Sequence, residues 1–216
     1  RSVMKQKLLA LTLCLLLLLT ACSGPDYSAE VLSSGGQRAP SADVDLSGPG
    51  ALAATSFAVE LLQGADNGGN VLLSPISVLS ALAMTANGAE GETLSQLEDL
   101  FGMSADELNA YMAAFLATLD DSEGSKLSSA CSMWLRDDDK LKINDAFIEK
   151  NAGYYDSAVF TAPFDGGTLD SINSWVKKNT GGMIDRILDK IPDDAMLYLI
   201  NAVAFDAKWQ TVYTSD

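Results

Sequence analysis

The chain has 216 residues, 48% of them hydrophobic and 20% charged, with a formal net charge of −15. This composition can bury a core and excludes a disordered chain, while the acidity excludes a polyanion-binding surface in the first half: no Lys or Arg lies between Arg38 and Lys126, and thirteen acidic residues do. Histidine is absent, which removes imidazole metal ligands and any Ser-His-Asp or Cys-His nucleophile from these residues.

At the N-terminus Lys5-Gln6-Lys7 precedes a 12-residue apolar run, 8–19, which ends in Leu19-Thr20-Ala21-Cys22. A basic flank, a short apolar stretch and small residues make a secretory signal, and the run is short of the roughly 20 residues a membrane-crossing helix needs. The Leu-Thr-Ala-Cys ending resembles the lipobox of bacterial lipoproteins, which implies a signal peptide over residues 1–22 and a lipid on the Cys22 thiol. An ordinary signal with an incidental cysteine is the alternative. Met4 is a plausible start. Three of the 14 basic residues precede Cys22, so 11 remain against 29 acidic ones, a balance of −18 from Ser23 onward. Only Cys131 is then left in the folded part, so no intramolecular disulfide is expected. The expected location is extracellular, with the membrane reached only through the lipid.

Residues 23–50, rich in Ser, Gly, Pro and Asp, read as a flexible tether, and residues 51–216 as one domain. Such a coil of 28 residues spans on the order of 30 Å. Residues 51–63 place Leu52, Ala53, Phe57, Leu61 and Leu62 near one helix face, and a short strand is expected at 71–73. Residues 71–89 carry no charge; Ser74 is placed to cap a helix with Pro75 in its first turn, and apolar side chains on most sides predict its burial. Residues 93–101 form a short helix closed by Gly102, and Ser104-Ala105-Asp106-Glu107 opens another as a capping box.

Residues 126–135 read as a strand, and Asp137-Asp138-Asp139 as a turn, because the run lacks the alternating ligands and glycine of a calcium loop. A helix over 145–151 capped by Asn144, a strand at 156–160 and a helical stripe of Leu169, Ile172, Trp175 and Val176 follow. Residues 196–205 are almost wholly apolar, β-branched or aromatic, which predicts a central strand covered on both faces. Asn201 lies in its middle. A buried amide left unpaired costs about 1–3 kcal/mol, so Asn201 requires partners, and the hydroxyls of Ser74 and Ser77 are suitable. A core Asn with no further role is the plain structural alternative.

Three blocks in order, Asn70-Val71-Leu72-Leu73-Ser74-Pro75-Ile76-Ser77, Gly88-Ala89-Glu90-Gly91-Glu92-Thr93 and Asn201-Ala202-Val203-Ala204-Phe205-Asp206-Ala207-Lys208-Trp209, resemble the N-terminal half of a serpin. Ile172-Asn173-Ser174-Trp175-Val176 and Thr180-Gly181-Gly182-Met183-Ile184 add to the likeness. The resemblance implies an α+β fold, with helices packed around a large, mostly antiparallel sheet whose C-terminal strands and reactive-centre loop are absent from this chain. It further implies that Ser74, Ser77 and Asn201 lie at the shutter beneath the opening sheet, and Trp209 at the breach where insertion begins.

The function so implied is inhibition of a serine or papain-like cysteine endopeptidase. The protease cleaves an exposed loop, which inserts as a new strand beside residues 196–205. No enzyme activity, cofactor or metal is implied, nor a nucleic-acid partner, and the acidic surface speaks against glycosaminoglycan. A non-inhibitory serpin fold and a lipoprotein binding another ligand are the alternatives. Residues 51–216 alone are expected to inhibit nothing and to form no stable native monomer, giving a soluble oligomer associated through the unpaired strand or a loosely packed globule. Asp206-Ala207 stands where the family usually has Lys-Gly, and Met183 where a Lys is common, so strain at Ala207 is an expectation to test.

Overall fold

The computed structural model describes residues 27–35, 44–119, 125–209 and 211. The elements run β1 (Glu30–Ser33), α1 (Pro49–Ala65), α2 (Pro75–Ala86), α3 (Gly91–Phe101), α4 (Ala105–Leu116), β2 (Ser125–Arg136), α5 (Asp145–Tyr155), β3 (Ala158–Ala162), α6 (Gly166–Asn179) and β4 (Leu197–Ala207). The signal segment and Cys22 lie outside the described residues.

Local chemistry sets most of these boundaries. Pro49 and Pro75 occupy the first turns of α1 and α2, where a missing N–H costs no helical bond. Ser104 and Glu107 form the reciprocal capping box that opens α4. Asn144 and Asp165 cap α5 and α6 by accepting from Ala146 N and Thr168 N. Gly102 ends α3 in the left-handed conformation that only glycine adopts without strain.

The strands form one mixed sheet in the order β1-β3-β2-β4. β2 pairs with β4 antiparallel and with β3 parallel, and β1 pairs with β3 antiparallel. Alternation along β2 divides the core. Cys131 joins the cluster of α1 to α5 that includes Phe57, Met84, Leu108, Met112 and Tyr155, and Met133 and Leu135 on the same face pack with Phe147 of α5 and Val159 of β3. Trp134, on the other face, packs with Phe160 of β3 and with Ile172, Trp175 and Val176 of α6. The α+β fold with helices about a mostly antiparallel sheet is borne out.

Five expectations need correction. Residues 71–73 are not a strand. No described strand lies beside them to form a ladder, and Leu72 is fully exposed at 100%. β4 is less covered on its faces than expected, half-buried and buried in alternation and then exposed from Phe205 onward, while its lack of a neighbour on one side among the described residues is the outcome expected of this chain. The helix at 145 continues to Tyr155, and the next strand starts at Ala158, because Asp156 turns the chain with a φ of 54°. Val78 breaks the burial of α2 on one side.

The fifth concerns the tether over 23–50, of which residues 27–35 and 44–50 are built into the domain. The Tyr27 ring meets Trp134 and Phe160 edge-on, at centroid distances of 6.1 and 5.5 Å. Ser28 N donates to Ser171 Oγ at 2.9 Å, and Glu30–Ser33 covers the free edge of β3. Val44 and Leu46 pack on the helical core, and α1 starts at Pro49. One aromatic side chain offered to a stacked Trp-Phe pair outweighs the flexible composition around it.

Behind the sheet is a buried amide cluster that residue-type reading missed. Asn87 Nδ2 donates to Asn151 Oδ1 at 2.9 Å, Asn109 Nδ2 to Asn87 Oδ1 at 2.7 Å, and Tyr155 Oη to Asn109 Oδ1 at 2.6 Å. These bonds tie the end of α2 to α4 and α5. Burial pushes the Tyr155 phenol far up, so it stays a donor.

Tyr27→Ala should destabilise the full-length protein by about 2 kcal/mol, a fall of about 2–4 °C in thermal midpoint for a protein of that size, because it removes two aromatic contacts and their burial. Leu32→Ala, at a half-exposed position, should change it little. Equal effects of the two in a thermal melt would show that Tyr27 does not hold β1.

Candidate functional site

The resemblance sets Ser74, Ser77 and Asn201 at one point and Trp209 at another, and the structure treats them differently. Asn201 stands opposite Cys131 in the β2–β4 ladder. Directly opposed side chains on one sheet face lie about 4.5–5.5 Å apart at Cβ, close enough for a short side chain to reach across. Asn201 Nδ2 accordingly donates to Cys131 Sγ at 3.1 Å. Its Oδ1 is buried without a partner among the described residues.

Ser74 and Ser77 do not supply the Asn201 bonds expected of them. Their hydroxyls pair with each other, Oγ to Oγ at 2.9 Å, and both side chains are half-buried. Ser74 stands at the N-cap of α2 but makes no side-chain cap bond; its carbonyl instead accepts from Ser77 N and Val78 N. The register explains the outcome. Cys131 is fixed across the ladder from Asn201, whereas the serine hydroxyls sit on one helical turn and satisfy each other first. Cys131 carried no signal as an amide partner, because a lone buried Cys reads as a small hydrophobe.

At the far end β4 leaves the core. Phe205 is 66% exposed and Trp209, two residues past the strand, is 81% exposed. Ala207 lies within β4 opposite Ser125 and is not among the residues of positive φ, so the strain expected there is absent. Near the start of the strand, Leu197 and Leu199 line an apolar hollow of about 320 Å³ together with Thr85, Gly88, Ile143 and Phe147. Among the described residues β4 thus presents an unpaired backbone edge and one buried unpaired amide oxygen, with Phe205 exposed on it and Trp209 exposed just beyond it. Such an arrangement can accept another strand.

The model of the family described as "Serpin (serine protease inhibitor)" matches residues 52–216. Serpin-Z2A of Oryza sativa subsp. japonica is 32% identical over 174 residues, covering 74% of this chain and 41% of the relative. Plasma protease C1 inhibitor of Rattus norvegicus is 32% identical over 145 residues, covering 67% and 27%. Among solved structures, the native thermophilic serpin tengpin superposes with a TM-score of 0.74 at 41% identity, covering 86% of this chain and 48% of tengpin. The chain therefore spans less than half the length of each of these relatives.

A double-mutant cycle tests the rewired amide. In the full-length protein, Cys131→Ala and Asn201→Ala should couple by about 1 kcal/mol in urea unfolding, as one hydrogen bond does. Ser77→Ala and Asn201→Ala should be additive. Coupling through Ser77 and not through Cys131 would contradict the contact.

Proposed function

The chain belongs to the serpin family, and on that premise we propose that the full-length protein inhibits a serine or papain-like cysteine endopeptidase by accepting its own cleaved loop as a new strand beside β4. The observation that carries this reading is the outer edge of β4, an apolar strand of 11 residues with no neighbour on that side among the described residues. Adding a strand to such an edge supplies main-chain hydrogen bonds and covers Phe205 and its neighbours, which is a downhill change the unfilled sheet holds in reserve. Ser74, Ser77 and Asn201 then act at the shutter, and Trp209 at the breach. Asn201 Oδ1 supports this role, since a buried acceptor without a partner stands ready for a donor brought by another element. Plasma protease C1 inhibitor, one of the relatives, carries an inhibitory role in its name.

The expected outcome with a panel of serine and papain-like proteases is a complex of protein plus protease that survives boiling in detergent. Cleaved protein with every enzyme, and no such band, would replace this reading with a non-inhibitory serpin fold. The chain of 216 residues alone should give no complex.

We further infer that the protein is an extracellular lipoprotein held at a bacterial surface through Cys22, the reading that the basic and apolar leader before Leu19-Thr20-Ala21-Cys22 supports. Mass spectrometry of the membrane fraction should find a lipid adduct on Cys22. An unmodified N-terminus in the medium would overturn it.

A further inference from the structure

We propose that the protein stands upright on its membrane, with the pole that carries Arg136 and Phe164 held close against the lipid surface and the pole that carries Trp209 pointing away. The inference rests on the lipid anchor at Cys22. What it adds is a distance and an orientation, both set by where the chain is first fixed.

The first fixed residue is Tyr27, held between Trp134 and Phe160, and Ser28 N is bonded to Ser171 Oγ. Only Ser23, Gly24, Pro25 and Asp26 separate Cys22 from it. Fully extended, that link reaches about 18 Å. A flexible coil running to Gly50 would instead let the domain drift on the order of 30 Å, with no preferred orientation.

The pole follows from the sheet register. β1 runs antiparallel to β3, with Ser33 opposite Val159 and Glu30 opposite Thr161, so going back toward Tyr27 the chain passes the end of β3. There Ser28 sits against Gly167, where a side chain would press on the Ser28 hydroxyl. β2 ends at the same pole, with Arg136 opposite Ala162; its guanidinium lies 5.2 Å from the Phe164 ring centre and its Nε donates to Ala195 O at 2.7 Å. β4 begins at this pole, with Leu197 opposite Leu135, and ends with Ala207 opposite Ser125. At about 3.4 Å per residue, its 11 residues carry Trp209 about 35 Å or more from the anchored pole.

The near pole does not adhere to lipid. Asp137, Asp138, Asp139, Asp165, Asp193 and Asp194 gather around it and outnumber the cations Arg136, Lys140 and Lys190 there, so anionic headgroups repel it on balance. Proximity is therefore enforced by the covalent link and must vanish when the link is lengthened. A domain held this way presents its breach end to proteases arriving from solution and keeps the anchored end sterically closed to them.

The test uses the full-length lipoprotein reconstituted into phosphatidylcholine vesicles that carry a quencher on a fraction of the headgroups. A fluorophore is placed on D138C in one sample and on K208C in another; Cys131 is buried and does not compete for label. The expected result is several-fold stronger quenching at position 138 than at 208, with the difference lost after a long Gly-Ser insertion following Asp26. Equal quenching at both positions in protein that floats with the vesicles would overturn the orientation while leaving the anchor in place. Protein that neither floats nor carries lipid on Cys22 would overturn the anchor and the orientation with it.

Discussion

The antiparallel ladder between β2 and β4 is the contact on which the rest of this structure depends. It pairs Ser125 with Ala207 at one end and Leu135 with Leu197 at the other, without interruption. β2 is thereby flanked on both sides, since β3 pairs along its other edge. Because side chains alternate along a strand, fixing this register fixes which residues meet the helices behind the sheet and which meet α6 in front. A slip of one residue would turn Trp134 toward α5 and Met133 toward α6, undoing both cores at once.

The same ladder produces the polar feature of the sheet. Cys131 and Asn201 are partners because the register puts them opposite each other, and the Asn201 amide spends its donor on the thiol. Its acceptor is left over, in a strand whose other edge is open. Among the described residues of this chain, the buried acceptor and the unpaired edge each cost free energy. Both costs disappear if a strand is added there. Behind the sheet, the Asn87, Asn109, Asn151 and Tyr155 cluster ties the helices into one block.

Much of this was legible from residue types and spacing. Pro75 after Ser74, the Ser104-Glu107 box, the Asn144 cap and Gly102 are local signals, and each marked a real boundary. The long apolar run that became β4 was found as a strand, but hydropathy could not say whether both faces were covered, because an edge strand awaiting a neighbour reads like a central one. β1 was hidden for the opposite reason. Its neighbourhood is rich in Ser and Gly, and what holds it is one tyrosine meeting a Trp-Phe pair more than a hundred residues away, which no local pattern encodes. The Asn cluster was missed likewise: single asparagines near helix ends look like caps, and only the packing of α2, α4 and α5 brings them together. The Ser74-Ser77 pairing failed as an Asn201 partner because chemistry nominated it while register chose Cys131.

The central claim is that β4 is bonded firmly on one side and open on the other. Amide hydrogen exchange resolved along residues 197–207 measures this directly in the monomeric fraction of the 216-residue chain, at a dilution where association through the strand is absent. The account predicts alternation, with the amides directed at β2 protected and those directed outward exchanging at rates near those of an unstructured peptide. Uniform protection along the strand would mean that the outer edge is already paired, and would contradict the account.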